Sequence, residues 1–563
     1  MATAAEPSNR PTEIAMRPTA LLALLLTACG GPGYDVIIRG GTVYDGSGAA
    51  AVVADVGLRG DSIAAIGDLS GAKARQVVDA TGLAVAPGFI NMLSWANEAL
   101  LLDGRSQSDL RQGVTLEVFG EGESMGPLSD SMKAEYLAGM GEVKFPITWT
   151  TLAGYLDTLV GRGVSTNVAS FVGAATVRQH VLGHQSRAAT PEELARMEAL
   201  VDQAMREGAV GLGSSLIYEP GMFATTEELV ALSKVVAKYD GLYISHIRNE
   251  NDSLLDAVDE FLRIAREAAV RAEIYHLKAA GRANWGRMDT VLARIDAANR
   301  DGLTITADMY TYPASATGLD AVMPGWVREG GFDRWRERLM DPAVRRRLKA
   351  EWAGRGGAFA GPGGPEGVLL AGFKQDSLRQ YVGKRLKEVA ELRHQSPEDA
   401  AMDLIIADRS RIECIYFTMS EDNLRKQIVQ PWLSFASDAS SMAPEGVFLH
   451  SNPHPRAYGT FARVLGKYTR DEGVLSLPEA IRKLTSLPAA NLRLARRGTL
   501  APGYYADVVV FDPATITDHA TFDRPHQYAT GVRQVFVNGV QVIRDGEHTG
   551  QTPGRVVKRG GSD

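Results

Sequence analysis

Gly241-Leu242-Tyr243-Ile244-Ser245-His246 and Ala272-Glu273-Ile274-Tyr275-His276 are two short apolar runs that each end in a histidine. Runs rich in aliphatic and aromatic residues, closed by polar side chains, predict strands. Far downstream, Phe435-Ala436-Ser437-Asp438-Ala439 places a carboxylate in a comparable setting. In a barrel of parallel strands the strand ends converge on one face, where active sites sit. Imidazoles bind metals and move protons, and a carboxylate can act as a general base. His246, His276 and Asp438 together therefore point to a hydrolase that works through a metal-bound water.

Outward from these strands, residues 86–494 alternate apolar runs with amphipathic helices. Residues 164–172 and 209–216 read as strands. Residues 191–207 predict a helix, with Thr190 as N-cap and acids in its first turn. Residues 252–271 predict another. Such alternation predicts a parallel sheet, and its length predicts a barrel. Residues 316–410 leave this rhythm. The stretch 335–352 is charged and helical, and 354–367 is rich in Gly and Pro. We expect an insertion here, lying over the barrel mouth.

Both ends of the chain read as β. Residues 35–39 and 42–46 flank a Gly40-Gly41 turn, and 53–59 and 62–66 flank the hairpin signal Gly60-Asp61. Residues 506–511 and 532–542, the latter with an Asn538-Gly539 turn, read alike. Segments 34–85 and 495–563 are thus expected to build one small β-sandwich.

Composition sets the outer limits. A chain of 563 residues accommodates one large domain with a smaller one. Its 45% hydrophobic and 23% charged residues are ordinary for a globular protein. A net charge of −7, with no long basic run, argues against a nucleic-acid partner. Met16-Arg17 precedes the apolar run Ala20-Leu21-Leu22-Ala23-Leu24-Leu25-Leu26, as in a secretory signal, and Met16 is an alternative initiator. Leu26-Thr27-Ala28-Cys29 resembles a bacterial lipobox, in which Cys29 is lipidated after cleavage. Residues 1–33 are read as an export leader, and the protein as periplasmic or held to the membrane through Cys29. The apolar run itself is too short to span a bilayer. The other cysteine, Cys414, lies in the apolar Ile412-Glu413-Cys414-Ile415-Tyr416-Phe417 and is expected in a buried strand.

Longer motifs add a family. They are Ala86-Pro87-Gly88-Phe89-Ile90, Ser245-His246-Ile247-Arg248-Asn249-Glu250, His276-Leu277-Lys278, His454-Pro455-Arg456-Ala457-Tyr458-Gly459-Thr460 and Leu500-Ala501-Pro502-Gly503-Tyr504-Tyr505-Ala506-Asp507. With these, nearly everything after Tyr34 resembles the N-acyl-D-amino-acid deacylase (D-aminoacylase) branch of the metal-dependent amidohydrolase superfamily. The resemblance implies a (β/α)8 TIM-like barrel with a small β-sandwich, zinc, and hydrolysis of the amide bond of N-acyl amino acids.

The sequence departs from that family in two places. Leu93 and Trp95, in Gly88-Phe89-Ile90-Asn91-Met92-Leu93-Ser94-Trp95, stand where the superfamily carries two metal-binding histidines. Neither can ligate a metal. Ala174 stands where relatives tend to have histidine. The family's tight zinc uses a cysteine and two histidines. His246 and His276 match the histidines, and Glu121 in Gly120-Glu121-Gly122 aligns with the cysteine, with Glu123 as the competing candidate. Zinc accepts carboxylate as well as thiolate, and three protein ligands leave a position open. The resemblance thus implies one tightly bound Zn2+ at Glu121, His246 and His276, with Asp438 as general acid/base. A helix N-cap is the plain alternative for Asp438, and a surface carboxylate for Glu121.

The family grips the substrate α-carboxylate with a lysine, an arginine and tyrosines, matched here by Lys278, Arg456, Tyr310 and Tyr218. A planar guanidinium suits a carboxylate through two parallel hydrogen bonds. The plain alternatives are a structural ion pair for Lys278 and Arg456, and core packing for the tyrosines. Residues 439–455, with Met442, Phe448, His450 and His454, form a long loop. With Leu93 and Trp95 it is expected to make the mouth apolar, suiting an apolar acyl group or side chain. Rival functions are hydrolysis of L-configured N-acyl amino acids, lactones or cyclic amides, and a metal-free binding protein.

Overall fold

The computed structural model describes residues 33–141 and 143–560. Cys29 and the apolar run before it lie outside the described residues. Eight parallel strands form a barrel: Phe89–Asn91, Val114–Phe119, Asn167–Ser170 continued by Val172–Gly173, Gly211–Ser215, Leu242–His246, Arg271–Ile274, Ile305–Met309 and Leu433–Phe435. Nearly all their residues are buried, as expected of parallel strands covered by helices. The ring closes between its first and eighth strands. There Asp438 N–H donates to Leu93 C=O and Trp95 N–H donates to Ala439 C=O, both at 2.9 Å. Asn91 reinforces this seam by accepting from Ser437 N–H at 2.9 Å and donating to Asp109 at 2.9 Å.

The helices follow local signals. Helix Pro191–Glu207 begins at Thr190, whose hydroxyl accepts from Glu193 N–H while the Glu193 carboxylate returns to Thr190 N–H. This reciprocal cap satisfies two otherwise unpaired donors. The helix buries Met197, Val201, Ala204 and Met205, and stops at Gly208, whose φ of 115° suits glycine. Helix Leu254–Ala268 is shorter than the expected 252–271 because Ala269 turns to φ 51° and ends it.

Both ends of the chain meet in one nine-stranded sheet. Strand Val508–Phe511 pairs antiparallel with Ala84–Pro87. The sheet bends back on itself, with Ile63 N–H donating to Tyr504 C=O at 2.8 Å and Ala506 N–H to Asp61 C=O at 2.7 Å. Val36, Ile38, Val56, Ile63, Val508 and Val510 fill the space between its layers. The alternate residues Val509 and Phe511 join the barrel core instead, where Phe511 meets Phe89 edge-on. Gly40-Gly41 is not the expected turn. Strand Tyr34–Val43 runs through it with a bulge between Ile38 and Gly41. Gly40 takes φ +68° and donates its N–H to Asp55, while a Cβ on Gly41 would stand 2.4 Å from Val85.

The insertion carries its own three-stranded antiparallel sheet, Ser315–Gly318, Glu413–Tyr416 and Val368–Gly372, with Cys414 buried in the central strand. Leu319, Trp335, Leu348, Trp352, Leu386 and Leu404 form its separate core. The stretch 335–352 is not one helix. Phe332–Met340 and Pro342–Ala353 are split at Asp341, which is extended, as residues before proline prefer, and caps Ala343 N–H.

Candidate active site

A cavity of about 660 Å³ opens at the C-terminal ends of the barrel strands, and the insertion supplies part of its wall through Ser315, Thr317 and Arg411. Glu121 follows the second strand, His246 ends the fifth, and His276 lies just past the sixth. Glu121 Oε1 is 2.8 Å from His246 Nδ1 and 2.9 Å from His276 Nε2. All three side chains are buried, and one ligand atom from each lies within 4.8 Å of the others. His276 holds φ 34° and Asp438 φ 48°, the left-handed region that non-glycine residues seldom occupy. Such strain concentrates at functional sites.

The electrostatics suit a cation. Burial and the Lys278 ammonium work against charge on His276, but Glu121 and Asp438 outweigh them and push its pKa up to about 10. Burial alone would raise Glu121, yet the charge on His276 and the hydrogen bond from His246 bring it far below the usual carboxylate range. A carboxylate and two imidazoles that compete for protons at one point will exchange them for a metal ion. His246 Nε2 is buried with no hydrogen-bond partner. This donor set, one oxygen and two nitrogens, fits zinc with an open position. Glu123 is not part of the cluster. It lies on the cavity wall in the field of Arg411.

Asp438 follows the eighth strand. No helix starts there, so the N-cap alternative falls away. Burial raises its pKa, against the opposing charges of Arg456 and His276. A carboxylate so raised accepts a proton more readily. Arg456 Nη1 is 2.7 Å from Asp438 Oδ2 but out of hydrogen-bond alignment, and Arg456 Nη1 and Nε are buried without hydrogen bonds. Buried donors of this kind are costly unless something accepts from them. The Arg456 guanidinium lies 4.4 Å from the centre of the Tyr310 ring, whose hydroxyl reaches only Met419 Sδ.

The structure brings Lys278 and Tyr218 to the same cavity, each already engaged. Lys278 Nζ donates to Glu250 Oε1 at 2.6 Å and lies 2.7 Å from His276 Nδ1. Tyr218 shares a 2.7 Å hydrogen bond with Thr317 and sets its edge against His246. The apolar mouth is only partly present. Trp95 and Met442 line the cavity, but Leu93 is fully buried in the core behind it, and neither Phe448 nor His450 is among the lining residues. His454 is locked and neutral, since its Nδ1 accepts from Arg456 N–H and its Nε2 donates to Ala314 C=O.

Two contributors escape a search for ligands. Glu250, four residues past His246, partners Lys278 and faces His276 Nδ1 at 3.3 Å. Glu250 closes the Ser245-His246-Ile247-Arg248-Asn249-Glu250 run, and an acid four residues past a site histidine is the signal for it. Trp95 donates from its indole N–H to Glu121 Oε2 and to Asp438 Oδ1, each at 3.1 Å. Trp95 cannot bind metal, but its single donor reaches both carboxylates.

An eight-stranded barrel with a β domain and a buried acid–imidazole cluster has the make-up of a metal-dependent hydrolase. Known proteins agree. An amidohydrolase family model matches residues 438–543. D-aminoacylase of Alcaligenes xylosoxydans xylosoxydans is 36% identical over 93% of this chain and 98% of its own length, and N-acyl-D-glutamate deacylase of the same organism is 34% identical over 94% and 97%. The crystal structure of the Bordetella bronchiseptica N-acyl-D-glutamate deacylase, complexed with zinc and a phosphonate that mimics the tetrahedral intermediate, superposes with a TM-score of 0.78. It is 31% identical, and the match covers 93% of this chain and 99% of that one. The chain belongs to the D-aminoacylase family.

Proposed function

We propose that this protein hydrolyses the amide bond of N-acyl-D-amino acids, using one zinc ion held by Glu121, His246 and His276. The observation that carries this reading is the buried convergence of those three ligand atoms beside the Asp438–Arg456 ion pair. Bound zinc supplies a Lewis acid for the scissile carbonyl and lowers the pKa of water. Asp438, raised in pKa and held at the rim, takes a proton from the attacking water and delivers it to the leaving amine. Arg456, ion-paired to Asp438 through Nη1 and with Nε buried without a hydrogen bond, turns its guanidinium toward the substrate α-carboxylate, and the Tyr310 ring sets the plane of that fork. Lys278 positions His276 and adds positive charge to the same pocket. The D configuration rests on the relatives, which are D-aminoacylase and deacylases of N-acyl-D-glutamate and N-acyl-D-aspartate.

Trp95 and Met442 on the wall favour apolar groups, while Arg411 and Glu413 make the rest of the cavity polar. Export with lipidation at Cys29 belongs to the same proposal and is supported by the sequence of the leader. Zinc content together with paired D and L N-acyl amino acids tests the enzymatic part. We expect one zinc per chain and turnover of the D series. Absence of zinc, or turnover confined to lactones or cyclic amides, would overturn it.

A further inference from the structure

The end of the first strand places a single hydrogen-bond donor between two carboxylates. Trp95 Nε1 lies 3.1 Å from Glu121 Oε2 and 3.1 Å from Asp438 Oδ1. The other oxygen of each carboxylate is also committed: Glu121 Oε1 faces the two imidazoles and Asp438 Oδ2 faces Arg456. The indole hangs from a rigid support. Trp95 N–H donates to Ala439 C=O, and its neighbour Ser94 donates to Glu117 at 2.7 Å and accepts from Ala96 N–H. The ring stands as a wall between the catalytic cavity and a second chamber of about 540 Å³ that it also lines.

We propose that Trp95 is a positioning residue: its indole N–H holds Glu121 Oε2 and Asp438 Oδ1 in place, and its ring, standing where a second ion would need a ligand, offers none. The inference rests on the metal site proposed above. Two carboxylates sharing one small space repel each other unless a positive group lies between them. A histidine on this seam could supply a ring nitrogen to a second ion. Indole Nε1 is a donor only and has no lone pair to offer a metal. It therefore eases the repulsion between the facing oxygens with its bond dipole while leaving nothing for an ion to bind. Glu121 is thereby held to one oxygen toward the imidazoles, and Asp438 is aimed before substrate arrives. Orientation fixed in advance in this way costs no reorganisation during the reaction.

The test counts metal and separates kcat from KM. Wild-type protein exposed to excess zinc and then freed of unbound metal is expected to hold one zinc per chain. Trp95→Phe keeps the wall but loses the donor. It should still hold one zinc, with kcat lowered about tenfold to hundredfold, the worth of a hydrogen bond to a charged group, and KM within about twofold. Trp95→His adds an imidazole beside Glu121 Oε2 and Asp438 Oδ1 and should hold two. The inference is overturned by two zinc ions in the wild type, by an unchanged kcat in Trp95→Phe, or by a single ion in Trp95→His. If Trp95→Phe does not fold, the Trp95→His count decides alone. A wild-type chain without zinc sinks the parent proposal instead, so the two failures are distinguishable.

Discussion

The ends of the fifth and sixth strands and the end of the first strand border one site but carry opposite chemistry. His246 and His276 bring two imidazoles against Glu121, and the carboxylates around His276 push its pKa up to about 10. The first strand brings an aliphatic side chain that turns into the core, Leu93, and an indole that donates a hydrogen bond, Trp95. One side gathers groups whose charges call for a metal ion, and the other gives the same carboxylates a hydrogen-bond donor that no metal can use. The lesson is that carboxylates on such a rim can be held by a fixed hydrogen-bond donor as well as by an ion. Ligand spacing read alone misses that alternative.

Removing either imidazole would break the comparison most severely. His246→Ala or His276→Ala leaves Glu121 with a single imidazole, and both zinc content and turnover should fall to background, as read by metal analysis beside a deacylation assay. Full zinc occupancy in both variants would remove the cation-seeking side altogether. Next in size are two substitutions at the seam. Asp438→Asn should keep zinc and lower kcat by about 10²- to 10⁴-fold, the usual worth of a general acid/base. Arg456→Lys replaces a planar fork with one ammonium, and KM for substrates bearing a free carboxylate should rise about tenfold. An unchanged KM would return Arg456 to the role of a structural partner of Asp438.

How much of this the sequence disclosed depends on the range of the interaction. Strands ending in His246 and His276 were legible because apolar runs and strand ends are local, and so was the Thr190 cap. The pairing of both chain ends was legible as a class of element, though not that the Ala84–Pro87 strand would receive Val508–Phe511. Gly40-Gly41 misled, since a glycine pair serves a bulge as well as a turn, and only the packing of Val85 against Gly41 decides between them. The split at Asp341 follows from the proline at 342, a local signal that the surrounding run of charge masks. At the site, Glu121 and Glu123 were indistinguishable by alignment, because which of them meets His246 is set by the path of Gly120 and Gly122 against neighbouring strands. A Cβ at Gly122 would stand 2.1 Å from Ser215 Oγ, so the backbone passes too close there for any side chain. The engagement of Lys278 by Glu250, and the bridge made by Trp95 across 343 positions to Asp438, exist only once the barrel closes.

The smallest expected effect bears on why Leu93 and Trp95 differ although both replace residues of the same kind. Leu93 is wholly buried with Ile90, Met92, Leu116 and Ala436, and its carbonyl accepts from Asp438 N–H across the seam. Its side chain does not line the cavity, so an imidazole placed there enters the core and has to find partners among aliphatic groups. Leu93→His should therefore leave zinc at one ion per chain and kcat within a few-fold of wild type. It should lower stability by about 1–3 kcal/mol, the cost of a buried polar group without partners, measured by denaturant titration of the zinc-loaded protein. Acquisition of a second zinc by Leu93→His with Trp95 intact would show that the seam can reopen as a metal pocket beneath the indole. The one-ion limit would then belong to the missing imidazole at position 93, not to the donor at position 95.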